Sequence, residues 1–159
     1  MPLLKDGAEI ENVWLFLDQD SEAELKPDQA VTLPLDRFLE LAESLAGRNT
    51  PVGVRLVPED DPGLLEPFLE WIQLIEVSFP KYTDGRGYSQ AQLLRRRHGY
   101  EGELRAVGHV LRDQIFYMNR SGFDAYETAR ADLPSVLEAL PARRRWPGVG
   151  VPRKTRKLT

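Results

Sequence analysis

The chain of 159 residues contains no cysteine, which excludes disulfides, thiolate metal ligation and any thiol redox step carried by this chain. Histidine is nearly as scarce. With only His98 and His109 available, a zinc site would have to rest mainly on carboxylates, so no metal centre is expected. No apolar run approaches the roughly 18 residues of a membrane span, and no basic-then-apolar start marks a signal peptide. The expectation is a cytoplasmic protein with no membrane association. GxGxxG, Walker, HExxH and nucleophile-elbow patterns are all missing, so no named cofactor or hydrolase site has local support and the cofactor stays unknown.

What is present suits one domain, since a chain of this length buries about two-thirds of its unfolded surface. The net charge of −4 is unevenly spread. Residues 141–159 hold seven basic residues and no acidic one, and the chain before them carries 14 basic and 25 acidic residues, or −11. The expectation is a single α/β domain over 1–140 and a basic, flexible tail over 141–159. Apart from Trp146 no aromatic accompanies the tail's charges, so nucleic acid is not an expected partner.

The most informative stretch runs from Thr83 to Arg95. Ile75, Val77 and Phe79 alternate with Glu76 and Ser78, a period of two that predicts a strand ending at Pro80. Gly85 and Gly87 then bracket Arg86, and Ser89 stands three residues before Gln92, the capping-box spacing of a helix start. A guanidinium beside free amides at a helix N-terminus suits a phosphate, sulfate or carboxylate. The competing reading is a tight strand-to-helix turn with Asp84 and Arg86 tied to neighbouring loops.

Along the rest of the chain strand-like and helix-like runs alternate. Strands are expected at Val13–Leu17, Ala30–Leu35, Val52–Val57, Glu103–Val107 and Ala125–Thr128. Helices are expected from Asp36 to Gly47, from Asp60 to Ile72 with a kink from Pro67 or a late start at Glu66, around Ala91–Arg97, from Val110 to Ser121 with Gly122-Phe123 as a glycine C-cap, and from Asp132 to Leu140. Arg95, Arg96 and Arg97 are read as a solvated helix end. This alternation predicts about five β-α units with a mostly parallel sheet, either open and doubly wound or curved as a partial barrel. Ligands of such folds sit beyond the carboxyl ends of the strands. That rule gathers Asp84, Gly85, Arg86, Gly87, Ser89 and Arg105 as candidate anion-binding residues. His109 and Asp113, four apart on the expected helix with Tyr117 one turn further, become the candidate catalytic pair. A purely structural network of paired charges explains the same cluster equally well.

Asp84-Gly85-Arg86-Gly87-Tyr88-Ser89, Leu94-Arg95, Gly102-Glu103-Leu104-Arg105-Ala106-Val107-Gly108, Leu111-Arg112-Asp113-Gln114 and Gly122-Phe123-Asp124-Ala125 resemble the bacterial family catalogued as domain of unknown function 934. The N-terminal part resembles it more loosely, through Trp14 and Leu33-Pro34-Leu35. The resemblance implies an oxidoreductase associated with assimilatory sulfite reduction, with sulfite reductase or its electron donor as partner and an oxyanion or phosphorylated small molecule as ligand. The alternative is a non-catalytic accessory protein that docks on the reductase or the donor. His109 stands where the family pattern has aspartate, and Ser121 where cysteine is frequent.

Overall fold

The computed structural model describes residues 3–5, 8–18, 28–81, 84–110 and 114–127. Its strands are β1 (Leu3–Lys5), β2 (Ala8–Ile10), β3 (Leu15–Phe16), β4 (Val31–Pro34), β5 (Val52–Leu56), β6 (Leu74–Phe79), β7 (Glu103–Gly108) and β8 (Ala125–Glu127). Its helices are α1 (Leu35–Ala46), α2 (Arg86–Gln92) and α3 (Ile115–Ser121), with a 3-10 segment at Pro62–Phe68 and a π-helical turn at Leu93–Arg97. The strands form one sheet in the order β2-β1-β8-β7-β6-β5-β4-β3. From β3 to β8 neighbours are parallel and follow chain order, while β1 is antiparallel to both β8 and β2. Right-handed crossovers that always step in one direction place their helices on one face. A doubly wound sheet must instead reverse direction at a switch point. Of the two expected forms, the partial barrel is the one adopted.

The connection from β2 to β3 shows how far the sheet curls. These strands are the two edges of the eight-stranded sheet, which if flat would lie about 34 Å apart at the usual strand spacing. From Ile10 to Leu15 the chain reaches at most about 18 Å. The edges must therefore approach each other, and the sheet is a curled half-barrel with residues 11–14 strapped across its mouth.

Strand alternation divides the side chains between two faces. Val31, Leu33, Val52, Val54, Leu56, Ile75, Val77, Phe79, Leu104, Ala106 and Tyr126 belong to the core on the helix side. From α1 the core receives Leu35, Phe38 and Leu45, and Phe38 meets Phe68 and Trp71 with ring centroids 5.5 Å away in both cases.

Several local expectations are corrected. The Asp60–Ile72 helix is a 3-10 segment, because Pro62 and Pro67 each remove an amide and Pro67 would collide with the preceding turn of an α-helix. Asp61 does cap it, accepting the Gly63 amide at 2.9 Å. The strand expected over Val13–Leu17 shrinks to the two residues of β3, an edge whose Val13 and Leu15 are exposed. Two N-terminal strands, β1 and β2, have too little alternation in three residues each to be read. The helix expected from Asp132 and the basic tail lie outside the described residues. No described helix is long and apolar enough to cross a membrane.

Candidate functional site

At the carboxyl end of β6 the chain turns into α2, but the turn is built differently from the expected capping box. Helix α2 begins at Arg86 with Gly85 at its N-cap, so Ser89 lies inside the helix, exposed, and caps nothing. The cap comes from Asp84. One carboxylate oxygen accepts the Arg86 amide at 3.1 Å, and the same carboxylate accepts Arg86 Nε at 3.1 Å and Nη2 at 2.7 Å. Glu59 adds a second carboxylate 3.6 Å from Nη2. The hydrogen bonds and charge of Arg86 hold the Asp84 carboxyl well down, at about 2. Gly87 is there for packing, since a Cβ would lie 2.6 Å from the Phe79 ring, so its bare backbone lets α2 settle onto β6. Gly85 has an ordinary φ of −88°.

Next to this turn the loop after β5 is tied to α2. The Gln90 amide nitrogen donates to Val57 O at 2.8 Å and to Asp60 O at 3.0 Å. Asp60 Oδ2 in turn accepts the Val57 amide at 2.9 Å. Burial pushes the Asp60 carboxyl up, the Val57 hydrogen bond opposes this, and the charges of Asp36 and Glu59 add to the rise. Tyr88 meets Tyr117 of α3 edge to face at 4.6 Å. Burial, with a smaller contribution from Tyr117, raises the Tyr88 hydroxyl.

His109 is exposed directly after β7, where its amide donates to Phe79 O at 2.8 Å. Gly108 before it has φ +100°, and a Cβ there would stand 2.6 Å from that same Phe79 oxygen. Because α3 is Ile115–Ser121, His109 is not on the helix that carries Tyr117, and their spacing of eight residues does not place the two on one helical face. Asp113 lies outside the described residues. Ser121 is buried and donates to Tyr117 O at 2.8 Å.

Arg105 is elsewhere. It points to the helix-free, concave face of the sheet, three residues short of the carboxyl end of β7. There it belongs to a transverse row in which Arg55, Glu76 and Arg105 are register partners on β5, β6 and β7, continued through Ala125 to Lys5. Arg105 gives Nε and Nη2 to Glu103 Oε2 at 3.1 and 2.8 Å and Nη1 to Asn12 Oδ1 at 3.1 Å, with Glu76 Oε2 at 3.7 Å. Lys5 closes the row on Glu103 at 2.6 Å, and Arg55 Nε donates to Glu76 Oε1 at 3.1 Å. Asn12 thus ties the strap to a buried charge. Glu76, on the face opposite Ile75 and Val77, is 1% exposed. The signal for this row was available: parallel strands buried on both faces should be apolar throughout, and three of them carry a charge at matching positions.

At the opposite, amino end of the sheet, Arg95 corrects the reading of a solvated arginine run. It is 1% exposed. Its guanidinium donates to Gly122 O at 3.0 and 3.1 Å, to Tyr100 O at 2.9 Å, to Gly102 O at 2.7 Å and to Asp124 Oδ2 at 2.7 Å. Asp124 also takes the Leu104 amide at 3.0 Å, so one ion pair stitches the π turn, the start of β7 and the end of α3. The π turn is what aims Arg95 inward from a run whose other members, Arg96 and Arg97, are exposed.

The model of a family described as a bacterial protein of unknown function (DUF934) matches residues 53–146. The chain belongs to this family. The match starts in β5 and takes in the Asp84–Ser89 turn, the Arg95 clamp and Arg105, while β1 to β4 precede it. No protein of established annotation matches the chain.

Proposed function

We propose that this member of the family is a cytoplasmic, non-catalytic accessory protein of assimilatory sulfite reduction that docks on sulfite reductase or its electron donor. The process is suggested by the residues that resemble the family. One observation carries the choice of docking over catalysis: the Asp84 carboxylate occupies both the Arg86 fork and an amide at the start of α2, the donors an incoming oxyanion would need. Arg105, the other guanidinium assigned to an anion, is bound by Glu103 and Asn12. Helix α3 meanwhile presents Phe116 and Tyr117, 50% and 52% exposed, and surface aromatics of this kind are enriched at protein interfaces.

A deletion strain offered sulfate, sulfite or sulfide as sole sulfur source tests the process, and growth on sulfide alone is expected. Sedimentation of the purified protein with the sulfite reductase of the same organism, and with its electron donor, tests the docking. Growth of the strain on sulfite removes the assignment to sulfite reduction. Oxidation of a reduced donor by the purified protein when sulfite is added restores the oxidoreductase reading. An oxyanion site at residues 84–89 predicts sulfite or sulfate binding that Arg86→Ala abolishes.

A further inference from the structure

The two arginines that flank Glu76 in the interior row are not equivalent. Arg105 spends all three of its nitrogens on Glu103 and Asn12. Arg55 spends only Nε, on Glu76 at 3.1 Å, and neither terminal nitrogen has a partner among the described residues. Its guanidinium is nevertheless held firmly. The central carbon sits 3.8 Å from the centroid of the Phe16 ring, so one face of the plane is stacked while one edge is fixed by a carboxylate that is itself 1% exposed. The side chain stays 24% exposed, and the position is one residue from the carboxyl end of β5, beside Phe16 at the end of β3. Lys5 and Arg105 are paired with Glu103, and Arg55 and Arg105 share Glu76.

We propose that Arg55 is an anion-recognition residue at the mouth of the half-barrel, its free fork receiving two oxygens of a small carboxylate or of a sulfur or phosphorus oxyanion. Stacking and the Glu76 bond fix the guanidinium before the ligand arrives, so little side-chain freedom remains to be lost on binding. The fork geometry matches two coplanar oxygens, which a lysine ammonium cannot do. This site is separate from the Asp84–Arg86 turn and from the surface of α3, and failure of either leaves the Arg55 test readable, since it is scored on Arg55 variants alone.

Thermal unfolding and calorimetric titration of the full chain with acetate, succinate, sulfite, sulfate and phosphate, each against sodium chloride at equal ionic strength, test it. At least one of these anions is expected to raise the unfolding temperature saturably and more than chloride does. Whether carboxylates or oxyanions respond identifies the source of the ligand. Arg55→Lys keeps a cation for Glu76 and should fold, yet should weaken that binding at least tenfold. Phe16→Leu, which leaves Arg55 in place but removes its stacking surface, should weaken it less. Arg86→Ala should bind as the wild type does. The proposal is overturned if no anion exceeds chloride, or if Arg55→Lys binds with unchanged affinity.

Discussion

Arg95 and Arg86 are nine residues apart and sit at opposite ends of the same crossover, yet they do different work. Arg95, at the amino end of the sheet, is 1% exposed and gathers three carbonyls from two separate segments together with Asp124. Arg86, at the carboxyl end, has a side chain 56% exposed and is bound mainly to a neighbour two residues away. The first arginine can be understood only from the tertiary structure. The second is a local turn. In parallel α/β folds the amino end of the sheet carries stability, and Arg95 follows that rule, locked into the scaffold, while Arg86 stands on an exposed turn held by Asp84.

The largest effect should come from removing the clamp. Arg95→Met leaves Asp124 buried without its cation and strips the Gly122, Tyr100 and Gly102 carbonyls of donors. Breaking a buried pair in this way costs about 3 to 5 kcal/mol. Arg97→Ala, two positions on and exposed, should stay within about 0.5 kcal/mol of wild type. Urea unfolding of both variants measures the contrast, and equal stabilities would mean that the arginine run is solvated after all.

The glycines extend the comparison at a smaller scale. Gly122 has φ +116° and a Cβ there would lie 2.7 Å from Arg95 Cγ, so Gly122→Ala strains the backbone and displaces the clamp, costing about 1 to 3 kcal/mol. Gly85 at the carboxyl end has an ordinary φ, and its nearest contact would be Tyr88 at 4.0 Å, so Gly85→Ala should change stability by no more than about 0.5 kcal/mol. Chemical unfolding of the pair sharpens the distinction between scaffold and turn. If Gly85→Ala proves the costlier, the division between the two ends is wrong.

The same contrast explains what could be read from the sequence. Alternation over Ile75–Phe79 and Glu103–Val107 gave β6 and β7 because each strand's period reports its own pleat, and Gly122-Phe123 gave the end of α3 because a left-handed C-cap is a local event. The inward turn of Arg95 depends on a single π turn, and the Arg55–Glu76–Arg105 row depends on register between strands some 20 to 30 residues apart, so neither is written in any short window. At the candidate site, sequence spacing located the turn but not its chemistry. Ser89 and Gln92 have the capping spacing, yet Asp84 reaches the first amide of α2 before Ser89 can, and the N-cap falls four residues earlier, at Gly85.

The smallest effects concern pH, and they divide the carboxyl end itself. Asp84 titrates at about 2, below its ordinary value of 3.8, so its contribution to stability is present above the ordinary value and is lost as pH falls toward 2. Asp60 is raised, chiefly by burial, so its sign is reversed: it favours the folded state when protonated, and that advantage is lost as pH rises through its folded value. At pH 7 ionised Asp60 is therefore a cost and ionised Asp84 a gain. Asp60→Asn keeps an oxygen to accept the Val57 amide while removing the charge that faces Asp36 and Glu59, so it should raise the unfolding temperature at pH 7 and lose that advantage at pH 3. Asp84→Asn should do the opposite, lowering the unfolding temperature slightly at pH 7 and matching wild type near pH 2. Scanning calorimetry of both variants across pH 2 to 7 checks the signs, and parallel rather than crossing profiles would show that the two carboxylates share one environment.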